Sequence, residues 1–183
     1  MSRKALFIAA LVAGSGIPFA NASDGTIDIT GELVAQTCDI TVDGQDSATA
    51  ATVTLPELSQ AALVGGVGSN AGSTAFKMEL NGCVGIATTA AAFFEAGAGV
   101  NPVTGNLVNT GDATGVELEL FDSASAAATK IKAGDTAQRT TTTRNAITST
   151  AATMDYGVRY VSTDPSPGPG TVVSSVTYAI DYQ

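Results

Sequence analysis

The sequence predicts an all-β protein. About seven short segments alternate apolar and polar residues, and runs rich in Gly, Pro, Asn and Asp separate them, as is typical of sandwich strands and turns. The 183-residue chain contains two cysteines, Cys38 and Cys83, and an even pair in a secreted chain fits one disulfide. Together these observations indicate an immunoglobulin-like β-sandwich.

The predicted strands follow one another along most of the chain. They cover residues 40–42, 53–55, 75–80, 91–94, 116–120, 154–160 and 176–182. In the last strand, the alternation places four side chains on one face, namely Val176, Tyr178, Ile180 and Tyr182. The threonine run at 140–143 favours an exposed strand or a sheet edge, because β-branched residues fit an extended backbone. After residue 22, no segment combines helical periodicity with capping residues.

Residues 1–22 are predicted to be a secretory signal peptide. Two basic residues precede the apolar run 5–13, and Ala20-Asn21-Ala22 provides a small-residue cleavage site. The alternative is a membrane anchor, but two glycines and a proline interrupt the apolar stretch before it reaches the roughly 20 residues that a span needs. We therefore expect export of the chain and no direct membrane insertion.

The charge balance excludes some classes of partner. The chain carries 8 Lys+Arg against 17 Asp+Glu, a formal net charge of −9, and cleavage would remove two of the basic residues. Nucleic acids and anionic membranes are unsuitable partners, because no cluster of positive charge is available to bind phosphates.

Catalytic and metal-binding motifs are not apparent in the sequence. The chain has no His, so it lacks an imidazole base, and a metal site would need more soft ligands than two cysteines. Residues 43–46 lack the spacing and the closing Glu of a calcium loop. Glu117 and Glu119 share one strand face, which we expect to be the solvent face. We therefore predict no enzymatic activity, no cofactor and no metal.

The segment after the cleavage site is an amphipathic strand. It places Ile27, Ile29, Gly31 and Leu33 on one face. The alternation alone leaves two interpretations equally open: the strand pairs within its own domain, or it is added to the sheet of another copy.

Several stretches resemble the fimbrial subunits of the chaperone–usher pathway, close to the type 1 major pilins. Residues 25–40 resemble the family's N-terminal extension and first cysteine, and residues 76–83 resemble its second cysteine strand. Residues 156–160 resemble its late strand, and residues 176–183, with Tyr182 penultimate, resemble its C-terminal recognition strand. Gly170 is fourteenth from the end, where pilins characteristically carry glycine.

The resemblance implies an incomplete immunoglobulin-like sandwich that is completed by donor-strand exchange. It divides the chain into a signal peptide (1–22), a donor-strand extension (23–36) and a pilin domain (37–183). The donated row would be Ile27, Ile29, Gly31 and Leu33. The acceptor groove and chaperone-recognition residues would be Gly170, Val176, Tyr178, Ile180, Tyr182 and Gln183, with the Gln183 carboxylate as the chaperone anchor.

The same resemblance implies the partners and the location. A periplasmic chaperone would fill the groove first, and exchange at an outer-membrane usher would then add the subunit to a homopolymer at the cell surface, a fimbrium that supports adhesion. One alternative is a minor or adaptor pilin of the same system. Another is a free-standing secreted carbohydrate-binding sandwich, which is disfavoured because the chain has no Trp and only 4 Tyr. A two-domain tip adhesin or a hydrolase fits less well.

Overall fold

The computed structural model describes residues 37–46 and 50–183. The predicted signal peptide and the predicted donor strand, including Ile27, Ile29, Gly31 and Leu33, therefore lie outside the described residues. Within the described part of the chain, none of the helices is long and apolar enough to cross a membrane.

Strands are the main regular secondary structure of the described chain. They are β1 (Thr37–Val42), β2 (Gln45–Asp46), β3 (Asn70–Val84), β4 (Thr89–Phe94), β5 (Leu107–Val108), β6 (Val116–Asp122), β7 (Thr129–Ile131), β8 (Asn145–Ala146), β9 (Ala152–Ser162) and β10 (Tyr178–Tyr182). Two single helical turns interrupt them, a 3-10 turn at Gln60–Leu63 and the helix α1 at Gln138–Thr141.

The strands form two sheets. The larger has seven strands in the order β2-β1-β3-β9-β6-β5, with β7 also paired to β6, and the smaller has the order β10-β4-β8. All of the ladders between these strands are antiparallel. The prediction of an all-β sandwich is confirmed, and residues 75–80, 91–94, 116–120 and 154–160 lie in β3, β4, β6 and β9.

The core lies between the two sheets. Met78, Leu80, Met154, Tyr156 and Phe94 are at most 2% exposed, and the Tyr156 and Phe94 rings meet edge to face at 5.3 Å. The predicted disulfide is present: it joins Cys38 in β1 to Cys83 in β3, which are 45 residues apart in sequence. A loop of this length corresponds to about 4 kcal/mol of chain entropy removed from the unfolded state.

The threonine run at 140–143 was predicted to be extended, and this is wrong, because the run begins inside α1. The hydroxyls of Thr140 and Thr141 donate to the carbonyl oxygen of Ala137 at 3.1 and 3.0 Å. Such hydroxyl-to-backbone bonds let threonine occupy a helical turn despite its preference for strands. The turn also places Gln138 against β4, a contact described below.

The expectation that both glutamates of β6 face solvent is also wrong. Glu119 is only 7% exposed, and its carboxylate accepts from Arg159 Nε at 2.8 Å and lies 3.1 Å from Lys130 Nζ. Glu117 is half-buried and accepts from Asn106 Nδ2 at 2.9 Å. The outer face of β6 is therefore covered by a polar network that connects it to β7, β9 and the loop before β5.

Candidate strand-accepting edge

The smaller sheet ends at β10, whose one neighbour among the described residues is β4. Two contacts flank this ladder. Glu95 N donates to Thr177 O at 2.9 Å, and the main chains of Gln183 and Thr89 exchange a reciprocal pair of bonds at 2.9 Å. Because bonded and non-bonded pairs alternate along an antiparallel ladder, the odd-numbered residues of β10 bond to β4.

The even-numbered residues of β10 direct their main-chain N–H and C=O groups away from β4. We call these groups, which belong to Tyr178, Ile180 and Tyr182, the open edge. Such a row of donors and acceptors can pair with another extended chain. Side-chain alternation in the sequence predicted these residues. The register of the β4–β10 ladder shows in addition that their main-chain groups face away from β4.

The side chains beside the open edge are apolar and only half-buried. Tyr178, Ile180 and Tyr182 pack against the core, as do Val172 and Val176 in the chain leading into β10. Burial of the Tyr182 phenol raises its pKa. A row that contacts the core yet retains exposed surface is what an incompletely covered sandwich presents.

A second half-buried apolar row lies in residues 50–58. Ala51, Val53 and Leu55 pack against the core, while the residues between them are exposed, an alternation typical of extended chain. Residues 53–55 were predicted to form a strand, but 50–58 make no ladder and no main-chain to main-chain hydrogen bond with other described residues. Side chains anchor this segment instead. Gln45 exchanges two bonds of 3.0 Å with the main chain of Thr52, and the Tyr160 hydroxyl donates to Pro56 O at 3.1 Å.

The two rows line the same cleft at one end. This cleft of about 430 Å³ is lined by Leu58 from residues 50–58, by Val172 from the chain leading into β10, and by Leu63 and Tyr160. Gly170 lies on its wall, and a Cβ atom added there would overlap the main-chain nitrogen of Ala113. The structure thus shows a steric reason for glycine at this position.

The far edge of β4 contrasts with the open edge. Ala92 N donates to the Tyr156 hydroxyl at 2.7 Å, and Phe94 exchanges two bonds of 2.9 Å with the Gln138 side chain. Burial raises the pKa of Tyr156 to about 12, so the phenol is neutral at physiological pH. The sequence did not identify Tyr156 or Gln138 as residues that bond to β4. No local pattern indicates that a side chain will bond to main-chain groups where a neighbouring strand would otherwise pair.

Charged contacts reinforce the β4 side of β10. Arg144 Nη2 donates to Asp181 O at 2.7 Å, and Arg144 and Arg139 form salt bridges with the Asp181 carboxylate at 3.2 and 3.1 Å. The Gln183 main-chain oxygen accepts from the nitrogens of Thr88 and Thr89 at 2.7 and 2.9 Å. These contacts hold β10 on β4 and leave the open edge untouched.

The fold defines a class of protein, the immunoglobulin-like β-sandwich. Residues 55–183 match the family described as type-1 fimbrial protein, A. The chain is 33% identical to the F17 fimbrial protein of Escherichia coli over 99% of both chains. It is 36% identical to the major fimbrial subunit SMF-1 of Stenotrophomonas maltophilia over 89% of this chain and 95% of the relative.

A solved structure supports the fold. The P pilus rod subunit PapA is similar with a TM-score of 0.55 and 17% identity, over 80% of this chain and 99% of PapA. The chain belongs to the type-1 fimbrial protein family, and its role is that of a structural subunit of a fimbrium.

Proposed function

We propose that the open edge of β10 is completed by residues 23–36 of a second copy of this chain, so that subunits join head to tail. The observation that carries the proposal is a half-buried apolar row beside main-chain groups that no other described residue pairs with. An inserted strand would pair with Tyr178, Ile180 and Tyr182 and cover the side chains on both sides. Each subunit would then donate one strand and accept another.

The energetics favour this arrangement. Burying the side chains of Ile27, Ile29 and Leu33 would contribute about 1.5–3 kcal/mol each, and each main-chain hydrogen bond about 1 kcal/mol more. Gly31 interrupts the apolar row and suits a place where the groove admits no side chain. Because the donor surface differs from the acceptor surface, the contact is heterologous and generates an open-ended filament.

The same groove needs a temporary occupant before assembly. We propose that a periplasmic chaperone supplies a strand to it after export directed by residues 1–22, and that exchange occurs at an outer-membrane usher. Gly170, Val176 and the even-numbered residues of β10 would form the recognition surface, and the Gln183 carboxylate would be the anchor. The assembled filament would be displayed at the cell surface, and the subunit's work there would be structural rather than catalytic.

The substitution Gly31→Leu tests the donor strand. We expect a chain that folds and is exported but does not polymerise. The leucine side chain would be forced into the place where, in this proposal, the groove of the next subunit admits no side chain. The measurement is the ladder of multimers that surface filaments give on a gel under mild denaturation. Thr30→Leu is the matched control, since the alternation predicts residue 30 on the opposite face of the strand, and it should assemble.

Normal ladders from the Gly31→Leu chain would contradict the proposal. A wild-type chain that remains a stable monomer in solution would also contradict it, because the extension would then complete its own domain.

A further inference from the structure

Two pairs of exposed apolar residues lie at opposite ends of β3. Val64 and Val67 are 63% and 68% exposed and come just before β3 begins, while Val84 and Ile86 are 66% and 74% exposed and come where it ends. The 15 residues of β3 span roughly 45 Å if extended. We call the first pair the cleft pole and the second pair the chain-start pole.

The chain-start pole contains the beginning of the described chain. Thr37, the first described residue, pairs with Val84 in the β1–β3 ladder. The end of β10 is near the same pole, since the Gln183 oxygen accepts from Thr88 N, two residues after Ile86.

The cleft pole lies beside the start of the chain segment that leads into β10. Leu63, immediately before Val64, shares the cleft described above with residues 170–172, which lead into β10. The chain from residue 170 to residue 183 therefore runs from the cleft pole toward the chain-start pole.

We propose that the chain-start pole of each subunit packs against the cleft pole of the next subunit in the filament. The inference rests on the proposed function. Because every ladder in the described fold is antiparallel, we expect the donated strand to run antiparallel to β10. Its last apolar residue, Leu33, then lies near the cleft pole of the acceptor.

The length of the connecting chain brings the two poles together. Four residue steps separate Leu33 from Thr37, and they span at most about 14 Å when fully extended. The donor's Thr37, and Val84 beside it, must therefore lie close to the acceptor's Val64 and Val67. Large apolar side chains exposed at these two places are explained if they cover each other, and the contact joins unlike surfaces, as an open filament requires.

A cross-linking experiment on filaments of the full chain tests the contact. The described residues contain no free cysteine, so a double variant, Val67→Cys with Ile86→Cys, introduces one thiol at each pole. A short bifunctional thiol reagent should convert these filaments into covalent ladders that survive full denaturation. The control pairs Val67→Cys with Val103→Cys, which is 81% exposed in the loop before β5 and should give no ladder.

Other outcomes would overturn the contact. Covalent dimers from Ile86→Cys alone would mean that like poles meet, and intact filaments of the double variant without cross-links would mean that the poles are apart. If the double variant does not assemble, the two single variants are co-assembled, and cross-linked dimers should form where the two types are neighbours. If the wild-type chain forms no filaments, the proposed function itself is contradicted. That outcome is distinct from a failure of the contact between the poles, in which filaments form without cross-links.

Discussion

The two edges of the smaller sheet satisfy their backbone groups in different ways. On the β4 edge, beyond the two residue pairs with β8, the Tyr156 hydroxyl accepts from Ala92 N and the Gln138 side chain bonds to both main-chain groups of Phe94. On the β10 edge, no described residue does so for Ile180 or its even-numbered neighbours. Free edges invite uncontrolled pairing. Among the described residues, the fold thus closes one edge with side chains and leaves the other for the strand that we propose.

The largest effect is expected from Ile180→Pro. Proline removes the N–H that faces the open edge and places its ring where an incoming strand would lie. The bonds from Ala179 and Asp181 to β4 would remain, but any strand at the open edge, whether the chaperone's or the donor's, would lose its pairing with Ile180. Both the yield of chaperone-bound subunit and the ladder of multimers should therefore fall.

Two control variants separate the loss of the N–H group from other effects. Ile180→Ala removes the same side chain but keeps the N–H, and it should assemble into filaments that dissociate at lower temperature. Ala179→Pro breaks a bond to β4 and should reduce the yield of folded subunit. Equal assembly of the Ile180→Pro and Ile180→Ala chains would mean that the open edge does not bind a strand.

The next effect is expected at the closed edge, from Gln138→Leu. The variant leaves the buried Phe94 N–H without an acceptor, while Phe94 O keeps its bond from Gly134 N at 2.9 Å. A buried unsatisfied donor costs about 1–3 kcal/mol, and we expect a loss near the top of that range by urea denaturation, together with aggregation. Thr140→Ala, on the exposed side of α1, should change stability by less than about 0.5 kcal/mol. No aggregation and unchanged stability would show that Gln138 does not protect this edge.

A smaller effect is expected from Tyr156→Phe, about 1–2 kcal/mol at neutral pH, because Ala92 N–H loses its acceptor. The pH dependence identifies the cause. Burial raises the pKa of Tyr156 from 10.0 to about 12, so the folded state favours the neutral phenol. The resulting stabilisation is complete below pH 10. The free energy of unfolding should fall by about 2–3 kcal/mol as the pH rises from 10 to 12.

The comparison of the wild type with Tyr156→Phe isolates this titration, since burial also raises the pKa of Tyr160 and Tyr182 in both chains. Urea denaturation at several pH values should show a steeper fall above pH 10 for the wild type. Parallel curves would assign the fall to the other tyrosines.

The smallest effect is expected from Tyr160→Phe. Its partly exposed hydroxyl donates to Pro56 O at 3.1 Å, and a bond of this kind contributes about 0.5–1 kcal/mol. Exchange of the Thr52 amide, which donates to the Gln45 side chain, should accelerate while β10 is unaffected. Unchanged exchange would mean that the apolar contacts of Val53 and Leu55 alone hold the segment.

The sequence predicted the strands that bury one face, because their alternation is a local property of the chain. Val176, Tyr178, Ile180 and Tyr182 were assigned to one face from period 2 alone, and the disulfide followed from having two cysteines in a chain expected to be secreted. The fold class could therefore be predicted from the sequence alone.

The parts that were missed depend on contacts between distant residues. Gln138 comes just before the threonine run 140–143, which has strand propensity, but its amide bonds to Phe94 stabilise a helical turn there. Glu119 alternates like a solvent-facing residue, but Arg159 and Lys130 approach from neighbouring strands and bury it. The direction of the open edge depends on the β4 register, which a single strand's sequence does not encode.

The most direct test of the open edge is amide hydrogen exchange on residues 37–183 with and without a peptide of residues 23–36. With the peptide, the account predicts strong new protection at Tyr178, Ile180 and Tyr182, while Ala179 and Asp181, already bonded to β4, change little. If the even-numbered amides are equally protected without the peptide, or stay unprotected at saturating peptide, β10 does not accept this strand and the central claim is contradicted.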